Sequence, residues 1–215
     1  MSTHARVVVA TRNAHKVAEV TRILTAGGAE LQLLSLADFP GAPDAAETGC
    51  TFAENALIKA RAAAEFTGLP AIADDSGLSV DALNGMPGVL SARWAGSHGD
   101  DEANLRLVLS QVADVPAGRR GARFVCAAAV VVAGSGARGG ERIERVVEGT
   151  IEGRLATAPR GRNGFGYDPI FVPEGEERTT AEMAPEEKDA ISHRGRAFRA
   201  LAPVIAELLA QHRIP

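Results

Sequence analysis

The sequence predicts an α/β fold: a mixed central sheet with flanking helices, built as one domain over residues 1–215 from two closely joined lobes around a cleft. Three observations carry this. The Val-rich run Ala5 to Ala10 gives way at once to apolar residues at helical spacing, Val17, Val20 and Leu24, which is a strand-loop-helix junction. The apolar run Phe124 to Val132, the turn SGARGG over 135–140 and the return segment Ile143 to Val147 suggest a hairpin, so parallel crossovers are joined by an antiparallel element. Finally, 46% of the 215 residues are hydrophobic and 23% are charged, enough for a sizeable core and unlike a disordered chain.

The first junction carries Thr11, Arg12, Asn13, Ala14, His15 and Lys16. Free amides at a helix start, with Asn13 and Lys16 beside them, can cradle phosphate oxygens. The same residues also suit an Asn cap followed by two solvated basic groups. Leu31 to Leu36 reads as a second strand, leading into a Pro/Gly/Ala/Asp loop around 37–50 that contains Glu47. A glutamate here is ordinarily a surface residue. It gains interest only if folding brings it near Asp74 and Asp75, because hard Mg2+ favours oxygen ligands and keeps waters and phosphates as the others.

The stretch from Thr51 to Gly96 organises the chain. Thr51 and Glu54 have capping-box spacing, and an Ala-rich helix with Leu57, Ala60 and Ala64 along one side runs to Gly68, where Gly68 and Pro70 end it. Pro70 to Ala73 reads as a buried strand delivering Asp74, Asp75 and Ser76 to its end, with Gly77 permitting a sharp turn. Adjacent aspartates are costly inside a domain unless cations or donors surround them. That favours an acidic catalytic edge, with a capped surface turn as the ordinary alternative. Leu78 to Leu83 is a further strand or short-turn segment, and GMPGV is a defined loop. Arg93 suits a phosphate or an ordinary ion pair, and Trp94 suits a purine stack or simple packing.

Asp100 and Asp101 start the next helix, whose apolar face is Leu105, Val108, Leu109 and Val112. In GRNGFGYDPIFVP, from Gly161 to Pro173, Phe165 offers an aromatic face and Asp168 an oxygen acceptor, held extended by Pro169; a buried aromatic loop without a ligand reads equally well. Pro185 divides the segment from Thr180 to Lys188 into short polar elements, with Lys188 directed toward phosphates. Ser192 caps a last helix whose first turn is crowded by His193, Arg194 and Arg196, against the helix dipole. A nearby anion would offset that conflict, and so would solvent exposure. Leu201, Val204, Ile205, Leu208 and Leu209 form its packing face, with Pro203 as a bend or a fresh start.

The formal charge of -4 argues against direct nucleic-acid binding while leaving room for a local basic pocket. Cys50 and Cys126 form neither a disulfide framework nor a close-spaced metal motif and read as reduced thiols. With neither a leader pattern nor an apolar run of membrane-spanning length, the expected location is cytoplasmic, with no membrane partner.

Taken in order, TRNAHK, ETG with TFAEN, KA, ADDSGL, PGVLSARWAG, GFGYDPIF, TAEM, EEK and SHRG cover the chain from about Val7 to Leu209. This ordered set resembles the inosine/xanthosine triphosphate pyrophosphatases. The resemblance implies Mg2+-dependent hydrolysis of ITP, dITP and XTP to the monophosphate and pyrophosphate, removing non-standard purines from the nucleotide pool, by a homodimer whose lobes flank a nucleotide cleft. It makes Thr11, Arg12, Asn13, Ala14, His15 and Lys16 the phosphate loop and Lys59 a further phosphate contact. Glu47 and Asp75 become the metal-site acids, with Asp74 assisting the metal or water shell. Asp75 is also the implied proton acceptor for the attacking water, and Ser76, beside it, positions a substrate phosphate. Phe165, Gly166, Tyr167 and Asp168, with His193 and Arg194, resemble the purine-recognition region, and Lys188 contributes to nucleotide binding. A stack on Phe165 and backbone donors near His193 would favour ITP and XTP over ATP and GTP.

Overall fold

The computed structural model describes residues 5–26, 28, 31–133 and 142–212. The six strands are β1 (Ala5–Val9), β2 (Leu31–Ser35), β3 (Ala71–Val80), β4 (Gly121–Val132), β5 (Ile143–Leu155) and β6 (Phe171–Pro173). They form one sheet in the order β2-β1-β3-β4-β5-β6. β1 pairs parallel with both β2 and β3, and β5 pairs antiparallel with β6, so the sheet is mixed as expected. β4 and β5 are neighbours, as a hairpin requires; its turn at 135–140 lies outside the described residues. The helices are α1 (Ala14–Ala26), α2 (Phe52–Thr67), α3 (Asp101–Gln111), α4 (Pro185–Ile191) and α5 (His193–His212). Among the described residues, no helix is long and apolar enough to cross a membrane.

Two compact units are distinguishable. The first comprises residues 1–75, 127–148 and 194–215, and the second 76–126 and 149–193. In the first, the small face of α2 (Ala56, Ala60, Ala63 and Ala64) packs on Val8, Ala71, Ala73, Ala127, Ala129 and Val131 of the sheet. Alanine on both surfaces lets helix and strands approach closely. Local chemistry fixes both ends of α2: Thr51 Oγ1 accepts from the Glu54 amide at 3.1 Å while Glu54 Oε2 accepts from the Thr51 amide at 3.2 Å, and Gly68 closes it in the left-handed region at φ 68°. In the second unit, Leu105, Val108 and Val112 of α3 pack with Leu78, Val80, Phe124, Ile151, Tyr167 and Phe171.

One expected break is absent. β3 continues without interruption from Ala71 to Val80, so Asp74, Asp75 and Ser76 lie in mid-strand, and Gly77 is strand rather than turn. The segment read separately as Leu78 to Leu83 is the end of this strand followed by a short 3-10 turn over Asp81–Leu83. The two aspartates are therefore buried, at 5% and 6% exposure. Pro185 is the first residue of α4, where its missing amide hydrogen costs nothing, and α5 runs through Pro203 without a break.

Candidate active site

Successive residues on a strand point to opposite faces. Asp75 shares its parity with Ala71 and Ala73, which pack on α2, and its carboxylate meets that helix: Oδ1 accepts from Lys59 Nζ at 3.0 Å and Oδ2 from Asn55 Nδ2 at 3.1 Å. Asn55 and Lys59 are one helical turn apart, so α2 presents both to one acid. Lys59 Nζ also donates to Glu47 Oε1 at 2.7 Å, which brings the loop acid to Asp75 through a shared ammonium. Burial alone would lower the Lys59 pKa, but the charges of Asp75, Asp74 and Glu47 outweigh it and raise the value, so the ammonium holds its proton. Burial raises the Asp75 pKa; the Lys59 charge opposes this and the Glu47 charge adds to it.

Asp74 meets a different set. Its Oδ2 accepts from Arg194 Nε and Nη2, each at 3.1 Å, and lies 3.5 Å from Lys16 Nζ. Arg194 Nη1 donates to Glu19 Oε2 at 2.7 Å, and the arginine is only 2% exposed. Burial would raise the Asp74 pKa, yet the charges of Lys16, Arg194 and Lys59 more than offset it and hold the carboxyl well below the usual range. The expected conflict in the first turn of α5 is resolved here: the cation facing the helix start is neutralised by two buried acids. A strand acid over α2 and its neighbour locked to arginine are not interchangeable.

The residues read as a phosphate loop occupy the start of α1, where two of the amides are not free. The amides of His15 and Lys16 are already taken by Asn13 Oδ1, at 2.9 and 3.2 Å, and the Asn13 amide donates to Thr11 Oγ1 at 3.1 Å. Asn13 is thus a helix cap, and these two amides are engaged rather than open to an anion. Ala14 and His15 are exposed in the same turn. The Arg12 guanidinium turns to the Asp44 carboxylate and the Ala42 carbonyl. Lys16 is the residue of this loop that reaches the acidic pair.

In the second unit, the loop Phe165 to Asp168 is assembled around a buried acid. Asp168 Oδ2 accepts from the Phe165 amide at 2.9 Å and from Lys188 Nζ at 2.7 Å, while Oδ1 accepts from Thr180 Oγ1 at 2.8 Å. Asp168 therefore orders the loop itself, where the sequence suggested an acceptor directed at a ligand. Gly164, at φ 76°, is required here, because a Cβ at that position would fall 2.0 Å from Asp168 Oδ2. The Lys188 ammonium sits 5.2 Å from the centre of the half-buried Phe165 ring, a cation-π arrangement. The Tyr167 hydroxyl donates to the Ser91 carbonyl at 2.8 Å, and burial, then the Asp101 charge, hold that phenol well above its ordinary pKa. His193 is buried and stacks on Phe124 at 4.7 Å and 15°. Ser76 follows Asp75 on β3, half-buried. Trp94 is half-buried against the second core, its indole donating to Gln111 Oε1 at 2.8 Å, which is the packing alternative.

Glu19, Asn55 and Thr180 escape the sequence reading although each contacts a site residue. For Glu19 a signal exists: it lies one turn before Ile23, on the apolar face of α1, where an isolated acid needs a partner. Among the described residues, no group of three or more His, Cys, Asp or Glu side chains converges to hold a metal ion. Glu47 and Asp75 nevertheless supply two carboxylates that already share one cation, the Lys59 ammonium. Two acids suit Mg2+, which keeps waters and substrate phosphates as its other ligands.

The model of the Ham1 family matches residues 7–204. The dITP/XTP pyrophosphatase of Streptomyces coelicolor is 58% identical over 204 residues, covering 95% of this chain and 98% of the relative. That of Nocardia farcinica is 58% identical over 207 residues, covering 96% and 97%. Among solved structures, a nucleoside-triphosphatase / dITP/XTP pyrophosphatase from Mycobacterium abscessus is similar with a TM-score of 0.71 and 56% identity, covering 92% of this chain and 99% of that one. A HAM1 protein from Coxiella burnetii is similar with a TM-score of 0.80 and 43% identity, covering 94% and 99%.

Proposed function

Since the chain belongs to the Ham1 family, we propose that it is a nucleoside-triphosphate pyrophosphatase that hydrolyses dITP, XTP and ITP to the monophosphate and pyrophosphate, clearing non-standard purines from the nucleotide pool. The observation that carries this reading is the Asp75 carboxylate, buried on β3 and held between Asn55 and Lys59 with Glu47 one ammonium away. A structural acid in mid-strand has no need of a second carboxylate on the same cation; a hydrolytic centre does.

The first cluster takes the triphosphate. Lys16 and Lys59 complement phosphate charge, and Glu47 and Asp75 would hold Mg2+, which when bound offsets repulsion between phosphate oxygens and the acids and makes water easier to deprotonate. Asp75 orients a water toward the α-phosphorus and takes its proton; the new P–O bond forms as the bond to the bridging oxygen breaks, and pyrophosphate leaves with that electron pair. Burial moves the Asp75 carboxyl upward, toward the range in which a carboxylate is a competent base. Asp74, engaged by Arg194 and Lys16, stays ionised and fixes those cations. The loop at Phe165, with Lys188 and His193, takes the base, and unpaired donors disfavour the C6 amine of ATP. By the same family resemblance the working form is a cytoplasmic homodimer, and light scattering showing a monomer at every concentration would reject that part.

Incubation with dITP or XTP and Mg2+, followed by chromatography, should yield monophosphate and pyrophosphate in equal amounts. Saturable binding with no product at high protein concentration would instead make this a nucleotide sensor. Values of kcat/KM should be well above those for ATP and GTP; equal values for all would leave a triphosphate pyrophosphatase without base selectivity.

A further inference from the structure

We propose that Asp101 is a positioning residue for the base loop: its carboxylate grips the Gly166 amide and holds Phe165 in the shape that receives the purine. This rests on the reading of that loop as the base site. Asp101 is the first residue of α3, and its Oδ2 accepts from the Gly166 amide at 2.8 Å across 65 residues of sequence. The helix does not need Asp101 as its cap, because Asp100 already fills that role, accepting from the Ala103 amide at 3.0 Å. The carboxylate of Asp101 is therefore available to a second chain segment.

One turn further along, Asn104 ties the same face of α3 to another loop: Oδ1 accepts from the Ala95 amide at 2.7 Å and Nδ2 donates to the Ala92 carbonyl at 3.2 Å. Tyr167 reaches that second loop through the Ser91 carbonyl. Consecutive residues of the base loop thus have separate anchors: Phe165 on Asp168, Gly166 on Asp101 and Tyr167 on Ser91. Of these, the bond to Asp101 alone joins the loop backbone to α3 and lies at an exposed position, so it can be removed without opening the core. Gly166 has φ 62°, a conformation with a shallow preference that an external acceptor helps to select.

The test compares D101A, D101N and D100A with wild type, reading kcat and KM for XTP and dITP and the thermal midpoint. D101A should raise KM about fivefold, as expected for one lost hydrogen bond at an exposed position, with kcat nearly unchanged. D101N keeps an acceptor oxygen for the Gly166 amide and should recover most of the loss. D100A removes the helix cap and should lower the midpoint while leaving KM alone. A wild-type KM in D101A, a D101N as impaired as D101A, or an equal rise in D100A would overturn the assignment. Wild-type protein that hydrolyses neither nucleotide overturns the activity reading and this inference together, whereas an active wild type beside an unaffected D101A overturns the inference alone.

Discussion

Alternation along β3 sends the Asp75 carboxylate to Asn55 and Lys59 and the Asp74 carboxylate to Arg194 and Lys16, so replacing either leaves the other's partners in place. Asp75→Asn preserves size and keeps one acceptor oxygen, for Lys59 Nζ or Asn55 Nδ2 but not both, and it cannot accept a proton or offer full charge to a metal. We expect D75N to remain folded by circular dichroism and to lose at least about tenfold in turnover at saturating Mg2+. Near-wild-type turnover in the folded variant would reject the assignment. Asp74→Asn instead leaves the buried Arg194 short of an anion, and should cost about 3 kcal/mol in urea denaturation near neutral pH. Because the folded-state pKa of Asp74 lies below its unfolded value, its stabilisation is complete above about pH 5 and fades as pH falls further. The gap between wild type and D74N should therefore narrow on acidification from about pH 5 to about pH 3; a constant gap would show that charge is not what Asp74 contributes. At this scale Asp74 and Asp75 are legible because adjacent acids after an apolar run need a partner, whereas Glu47 and Lys59 gain a role only through the family resemblance. Asn55 and Thr180 are not legible, since a neutral polar residue in a helix or short turn looks the same whether or not it meets an acid.

Helix α2 was legible at both ends because its stop signals are local: a capping box and a left-handed glycine act within a few residues of sequence. Thr51→Ala should accordingly cost about 1 kcal/mol of stability in chemical denaturation. β3 is hard to read for the opposite reason. What lets two aspartates sit in mid-strand is distant in sequence, above all Arg194, 120 residues away, and Gly77 looks like a turn only if the acids must reach solvent. The loop from Gly164 to Asp168 makes the same point about glycine. Gly164→Ala should cost about 1–2 kcal/mol from its left-handed backbone alone. Its new Cβ would also strike a carboxylate that Thr180, Lys188 and the Phe165 amide hold in place. KM for XTP should rise with the loss of stability; an unchanged KM would mean that the loop can reshape around the methyl group.

Across the whole molecule, the ordered motifs identified the family more surely than any one of them, and the mixed sheet follows from strand runs readable in the sequence. The formal charge of -4 hides a concentrated cluster in which buried Glu19, Asp74 and Asp75 and half-buried Glu47 face buried Arg194 and half-buried Lys16 and Lys59. In that setting the Lys59 ammonium, seated between Glu47 and Asp75, is a resident competitor. A divalent ion arriving alone must evict it and gains little; one arriving with a triphosphate gives the lysine a new anion to follow. The nucleotide-free protein should therefore be indifferent to chelators, with thermal midpoints in EDTA and in Mg2+ agreeing within about 1 °C, and should be stabilised when Mg2+ and a slowly hydrolysed nucleotide are added together. A large Mg2+ effect without nucleotide would show that the seat is vacated readily. On the proposed mechanism, Lys59 keeps the acids of the resting enzyme paired without metal, and the ion would be needed only once a substrate arrives to share it.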